Sequence, residues 1–200
     1  MENNNLIFAL NEQERIVVQL PHSIEHLTYD CKDLIIFEGT KSLVISDDYT
    51  KEAIKHFIKM LTKAMSGKLK LHFSITENIG YLWNEANQDS AEINNPKIFY
   101  TNDGLWIGVK ENHLWAAQTS IQLDTWLYNN SEDNIIFEIT PYYPWHDKKI
   151  KENKEFMPYE LWIKTYKPLL TRTIPKSVAL KWLSQAQYIL QKINESDSKI

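Results

Sequence analysis

The chain has one cysteine, five glycines, two arginines and no apolar run near the ~20 residues that a membrane-spanning helix requires. Each scarcity narrows the field. Cys31 alone cannot form an intramolecular disulfide, which suits a reducing compartment. Five glycines in 200 residues leave little material for phosphate-cradling loops, and neither a G-x-G-x-x-G nor a P-loop pattern occurs. There is no G-x-S-x-G elbow, and Cys31 has no flanking signature of a nucleophile. With arginine so rare, lysine outnumbers it twenty to two, the net charge is −4 and the pI is about 5.9. A dedicated nucleic-acid binder usually carries a basic surface and arginines suited to bidentate contacts, so that class is disfavoured. The opening Met1-Glu2-Asn3-Asn4-Asn5 lacks a basic region, and the apolar stretch after it is too short for a signal peptide. We therefore expect a cytoplasmic chain with no cofactor, no bound metal, no nucleic acid and no membrane among its partners.

What the chain does have is aromatic mass, and it is unevenly placed. Residues 97–146 hold ten of the 24 aromatic side chains, including four of the seven tryptophans. Large aromatics dominate core burial and also supply most anchors of binding surfaces. Asp103-Gly104 marks a two-residue hairpin turn. Closing it there pairs Tyr100 with Ile107 and Phe99 with Gly108. Ile98, Tyr100, Leu105, Ile107 and Val109 then share a core face, with Phe99, Trp106 and Lys110 on the other. Residues 114–118 would extend the meander, and 121–128 reads as a helix.

Elsewhere the pattern predicts strands over 15–20, 34–38 and 42–46, then a helix with Ile54, Phe57, Ile58, Leu61 and Met65 at helical spacing. Asp47 and Asp48 suit its positive end, and Gly67 its C-terminal cap. A strand over 68–73 and a short helix over 79–86 follow. Residues 134–140 alternate as a strand that Pro141 and Pro144 terminate. After a lysine-rich loop the chain turns helical over 159–166 and 175–193, the last helix carrying Val178, Trp182, Ala186, Ile189 and Ile193 as one stripe. Length and the lack of a linker favour a single domain over 1–200 with polar ends at 1–5 and 194–200. The fold class is α+β: a mainly antiparallel sheet within 6–140 with one inserted helix, and C-terminal helices packed on it.

Three features could carry chemistry. His22-Ser23-Ile24-Glu25-His26 matches the H-x-x-E-H zinc pattern, but the stretch between Pro21 and the next strand-like residues is barely one helical turn, so ordinary surface histidines fit better. Lys51, Lys55, Lys59 and Lys63 fall on one helix ridge, best read as a solvated face. Glu138 interrupts an otherwise apolar strand. Either it forms a salt bridge on an exposed face, or it lies in an aromatic-lined groove. On the hairpin register above, Trp106, Lys110 and Glu138, flanked by Trp145, form the candidate binding surface. No residue is a candidate for catalysis. The abundance of Asn, Lys and Ile fits an AT-rich bacterial genome.

Trp126-Leu127-Tyr128-Asn129, followed by Phe137-Glu138-Ile139-Thr140-Pro141 and Tyr143-Pro144-Trp145, resembles a pattern in small uncharacterised bacterial domains, some assigned as immunity proteins of toxin systems. The resemblance covers residues 126–145. It implies a non-enzymatic cytosolic protein that binds a protein toxin, and it transfers no catalytic residue. The alternative expectation is an enzyme or small-molecule binder with a pocket between the sheet and the C-terminal helices.

Overall fold

The computed structural model describes residues 5–20, 23, 26, 31, 34–71, 78–88, 99–100, 106–107, 110–118, 122–145 and 156–198, with the side chains of 86–88, 99–100, 106–107, 110 and 118 outside the description. Four strands, β1 (Leu6–Ala9), β2 (Arg15–Gln19), β3 (Leu34–Glu38) and β4 (Ser42–Ser46), form an antiparallel sheet in chain order. The helices α1 (Thr50–Met65) and α2 (Ile79–Gln88) follow, then a two-stranded ribbon, β5 (Phe99–Tyr100) and β6 (Trp106–Ile107). The second sheet contains β7 (His113–Gln118), β8 (Gln122–Asn129) and β9 (Ile135–Pro141). The chain then forms α3 (Tyr159–Trp162) with a 3-10 turn, adds β10 (Leu170–Ile174) beyond β9, and ends in α4 (Lys176–Asp197). The α+β class is as the sequence implies, but the sheet is divided in two. No helix among the described residues is long and apolar enough to cross a membrane.

The 3.6-residue spacing in α1 buries Ala53, Ile54, Phe57, Met60, Leu61 and Ala64 on one side. Gly67, with φ +67°, ends it in a Schellman motif: its N–H donates to Ala64 O and that of Lys68 to Lys63 O. The lysine ridge is partly paired, Lys51 with Asp197 of α4 and Lys55 with Glu52. Helix α4 continues past the expected end at Ile193 to Asp197, burying Ala179, Trp182, Ala186, Ile189, Ile193 and Ser196.

One core joins both sheets to these helices. Phe57 lies at its centre, with ring centroids 5.3 Å from Phe8 of β1, 4.9 Å from Trp115 of β7 and 6.0 Å from Trp182 of α4. Phe37 of β3 stacks on Phe137 of β9 at 6.1 Å. Fully burying a side chain of this size stabilises by about 1.5–3 kcal/mol. Both arginines tie strands together: Arg15 pairs with Glu38, and Arg172 of β10 with Glu14 at the β1–β2 turn. The free edge of β1 is blunted from the side. Trp182 Nε1–H donates to Ala9 O at 2.8 Å and Gln185 Nε2 to Ile7 O at 3.5 Å, which protects an edge that could otherwise template strand addition.

Several expectations need correction. Residues 122–129 are a strand, because their alternation of Leu123, Thr125 and Leu127 against Asp124, Trp126 and Tyr128 suits a sheet buried on both faces. Strand β7 pairs with β8 and does not extend the hairpin. In the ribbon Tyr100 pairs with Trp106 and Phe99 with Ile107, one residue out of the expected register. The Asp103-Gly104 turn itself and the side chains of the ribbon lie outside the described residues. Strand β10 lies between the two C-terminal helices, where the sequence pattern assigns no element. Of the strand expected over 68–73, the described part shows a single parallel bridge, Lys70 to Asn129. His22 and Glu25 of the H-x-x-E-H motif lie outside the described residues.

Candidate functional site

The second sheet has a core face and a face turned to α2, and the polar chemistry lies on the latter. Strand alternation places Asp124, Trp126 and Tyr128 of β8 beside Glu138 and Thr140 of β9, with Trp126 opposite Glu138 and Asp124 opposite Thr140. A β-bulge in β7 brings in a histidine. His113 pairs with Trp126 and Trp115 with Thr125, so Leu114 is the extra residue. Both Leu114 and Trp115 enter the main core, while His113 is left on the α2 face. In a regular strand His113 and Trp115, two residues apart, would point the same way.

Helix α2 closes this face. Asn78 caps it, its Oδ1 accepting from the N–H groups of Gly80 and Tyr81 at 3.0 and 3.3 Å. Asn84 clasps the end of β9, donating to Pro141 O at 3.0 Å and accepting from Tyr143 N–H at 2.8 Å. At Gly80 helix and sheet approach closely. A Cβ there would lie 2.1 Å from Tyr166 Oη and 2.5 Å from Thr140 Cγ2.

Two carboxylates lie under this cover. Glu138 is buried, accepts from Tyr128 Oη–H at 3.0 Å, and its Oε1 has no hydrogen-bond partner among the described residues. Burial raises its pKa, while Tyr128, the Asn78 side chain and the Gly80 backbone oppose the rise. Burial also raises the Tyr128 hydroxyl, with the Glu138 charge adding to it. Asp124 is bonded differently. Trp83 Nε1–H donates to Oδ2 and His113 Nε2 bonds Oδ1, both at 2.9 Å. Trp83 stacks on His113 at 5.7 Å, and Trp126 meets the two rings edge-on at 5.4 and 5.0 Å. Trp126 Nε1–H donates to Thr140 Oγ1 at 2.8 Å, and that hydroxyl reaches Asp124 O at 3.3 Å.

Trp83, His113, Asp124 and Tyr142 line an open groove of about 340 Å³, completed by Ala116, Ala117, Gln122 and Leu123. It lies between α2 and the edge of the sheet, and none of its described lining residues belongs to α3 or α4. Burial, and the charge of Asp124, raise the pKa of the Tyr142 hydroxyl. Among the described residues, no three His, Cys, Asp or Glu side chains converge as a metal site.

Of the four residues expected to form one surface, the side chains of Glu138 and Trp145 are described. Trp106 and Lys110 have backbones in the ribbon and in the turn after it, and their side chains lie outside the description. Among the described residues, no strand pairing joins β6 to β9. Glu138 is buried beneath α2, so it does not form the exposed salt bridge that was one of its two readings. Trp145 is half-buried, its ring edge-on to Tyr143 at 5.6 Å and to Phe156 at 6.2 Å. The groove residues Trp83, His113, Asp124 and Tyr142 were missed. Their signal was Asp124 at an alternate position between Gln122 and Trp126, which a helical reading of 121–128 conceals. The chain matches no family model, no curated protein and no solved structure.

Proposed function

We propose that this chain is a non-enzymatic binding protein of the bacterial cytoplasm, an immunity protein that holds a cognate toxin inactive. The observation that carries the reading is the outer side of α4 beside β1. Leu180 is 54% exposed and Ile7 45%, and both line a groove of about 650 Å³. Ala9, Leu10, Val178 and Trp182 form its apolar part, and Asn11, Lys181, Ser184 and Gln185 its polar part. Apolar anchors beside polar groups suit a protein–protein contact. With the Ile7 and Ala9 carbonyls already bonded to α4, a partner would meet side chains and not add a strand. The resemblance of residues 126–145 to immunity domains supplies the kind of partner. Trp106, Lys110 and Trp145 stay in this reading as further candidate contacts.

The test is co-expression with each candidate polypeptide toxin from the genomic neighbourhood of this gene. Growth should be restored, and Leu180→Asp should abolish the rescue while leaving the melting temperature unchanged. Absence of both rescue and a calorimetrically detectable complex overturns the reading. The groove at Trp83 and Asp124 favours a second reading, a small-molecule binder, because polar and aromatic groups converge there.

A further inference from the structure

We propose that the groove between α2 and the β7–β8 edge binds a guanidinium cation, with Asp124 as its anionic acceptor and Trp83 and Tyr142 as aromatic walls. The inference is independent of the toxin-binding reading and concerns a different face of the molecule. Asp124 keeps only 9% of its side chain exposed, yet it lines the groove. An ionised carboxylate offers about four acceptor sites. The described donors, Trp83 Nε1–H and the His113 ring, use one on each oxygen. Among the described lining residues Asp124 is the one acidic group and there is no lysine or arginine, so their formal charge complements a cation.

The walls narrow the kind of cation. Tryptophan and tyrosine faces attract cations through their quadrupoles, and more so where water is partly excluded. A guanidinium is planar, weakly hydrated and able to stack on an aromatic ring while donating two parallel bonds to one carboxylate. An ammonium is compact and strongly hydrated, and loses more on entering such a slot. The volume of about 340 Å³ accommodates a guanidinium with its alkyl stem. The bonds from Trp83 and His113 hold the carboxylate in one orientation before any ligand arrives, which reduces the ordering cost of binding.

The same cation could arrive free or on a polypeptide, and the experiment separates these sources. The Trp83 indole N–H resonance, assigned by its loss in Trp83→Phe, is followed in the full chain on titration with agmatine, with N-acetyl-arginine amide, and with N-acetyl-citrulline amide as the neutral isostere. Saturable shifts with a guanidinium probe, roughly tenfold weaker with citrulline, are expected. Asp124→Asn should weaken the response by a similar factor. Stronger binding of agmatine indicates a free ligand, and stronger binding of the amide indicates an arginine side chain. No saturable shift at tens of millimolar probe, or equal affinity for the citrulline amide, overturns the proposal. Should Asp124→Asn fail to fold, the arginine and citrulline comparison in the native chain decides alone.

Discussion

Leu123, Leu127, Ile135, Phe137 and Ile139 on one face of the second sheet are as deeply buried as Asp124, Trp126, Glu138 and Thr140 on the other. The forces that hold them differ. The first set joins a core shared with both sheets, α1 and α4, where the favourable term is apolar area and has little directionality. The second set is held by named bonds: Trp126 to Thr140, Thr140 to Asp124, Trp83 and His113 to Asp124, Tyr128 to Glu138. Such a bond contributes only ~1 kcal/mol net, but leaving a buried partner unpaired costs ~1–3 kcal/mol. The apolar face therefore supplies stability, and the polar face supplies a fixed geometry. That asymmetry is why the α2 face is where a ligand site would be built.

The comparison breaks most easily at the core. Phe137→Ala and Trp182→Ala should each destabilise by about 3–5 kcal/mol in denaturant titrations. A midpoint unmoved by Trp182→Ala would show that α4 docks some other way. On the opposite face Trp126→Phe should cost about 1–3 kcal/mol, since it leaves the Thr140 hydroxyl without its donor. Combining it with Thr140→Val tests the bond directly: the double variant should lose less than the sum of the single ones. Strict additivity would mean that the two groups act only by bulk.

Gly80→Ala comes next. In an exposed helix this change normally stabilises by up to ~1 kcal/mol. Here the added methyl would overlap Tyr166 Oη and Thr140 Cγ2, so the sign should reverse to a loss of about 1–3 kcal/mol. Tyr166→Phe in the same chain should return part of that loss. A neutral or stabilising Gly80→Ala would show that α2 does not sit tightly on the sheet.

The same asymmetry decided what could be read from the residues alone. Helices α1 and α4 were legible because one apolar stripe faces one core, and Trp182 was placed correctly for that reason, while β2 to β4 were legible as short β-branched and apolar runs. Strand β8 was not. It is buried on both faces, so Leu123, Trp126 and Leu127 fall near helical spacing as readily as strand spacing. Losing β8 hid Asp124, and the bulge at Leu114 hid His113, because a bulge leaves no mark in the alternation. Glu138 was singled out rightly as anomalous in its strand. Its burial under α2 depends on long-range topology, which a single sequence does not encode locally.

Glu138→Gln gives the smallest effect and the only one with a pH signature. Burial raises the folded-state pKa of Glu138 above the usual 4.5. Between those two values the folded chain holds a proton that the unfolded chain has released, so its stability falls as pH rises through that window. The stabilising contribution is thus complete below pH 4.5 and lost above the folded pKa. Glutamine keeps the shape, keeps an acceptor for Tyr128 Oη–H and carries no charge to desolvate. The variant should melt at the same temperature as the native chain near pH 4 and above it at pH 8, by less than Gly80→Ala lowers it. Melting curves across that range check the sign. A variant less stable than the native chain at pH 8 would mean that Glu138 is ionised and paired in the fold, in which case the α2 face holds a charge its described neighbours do not balance.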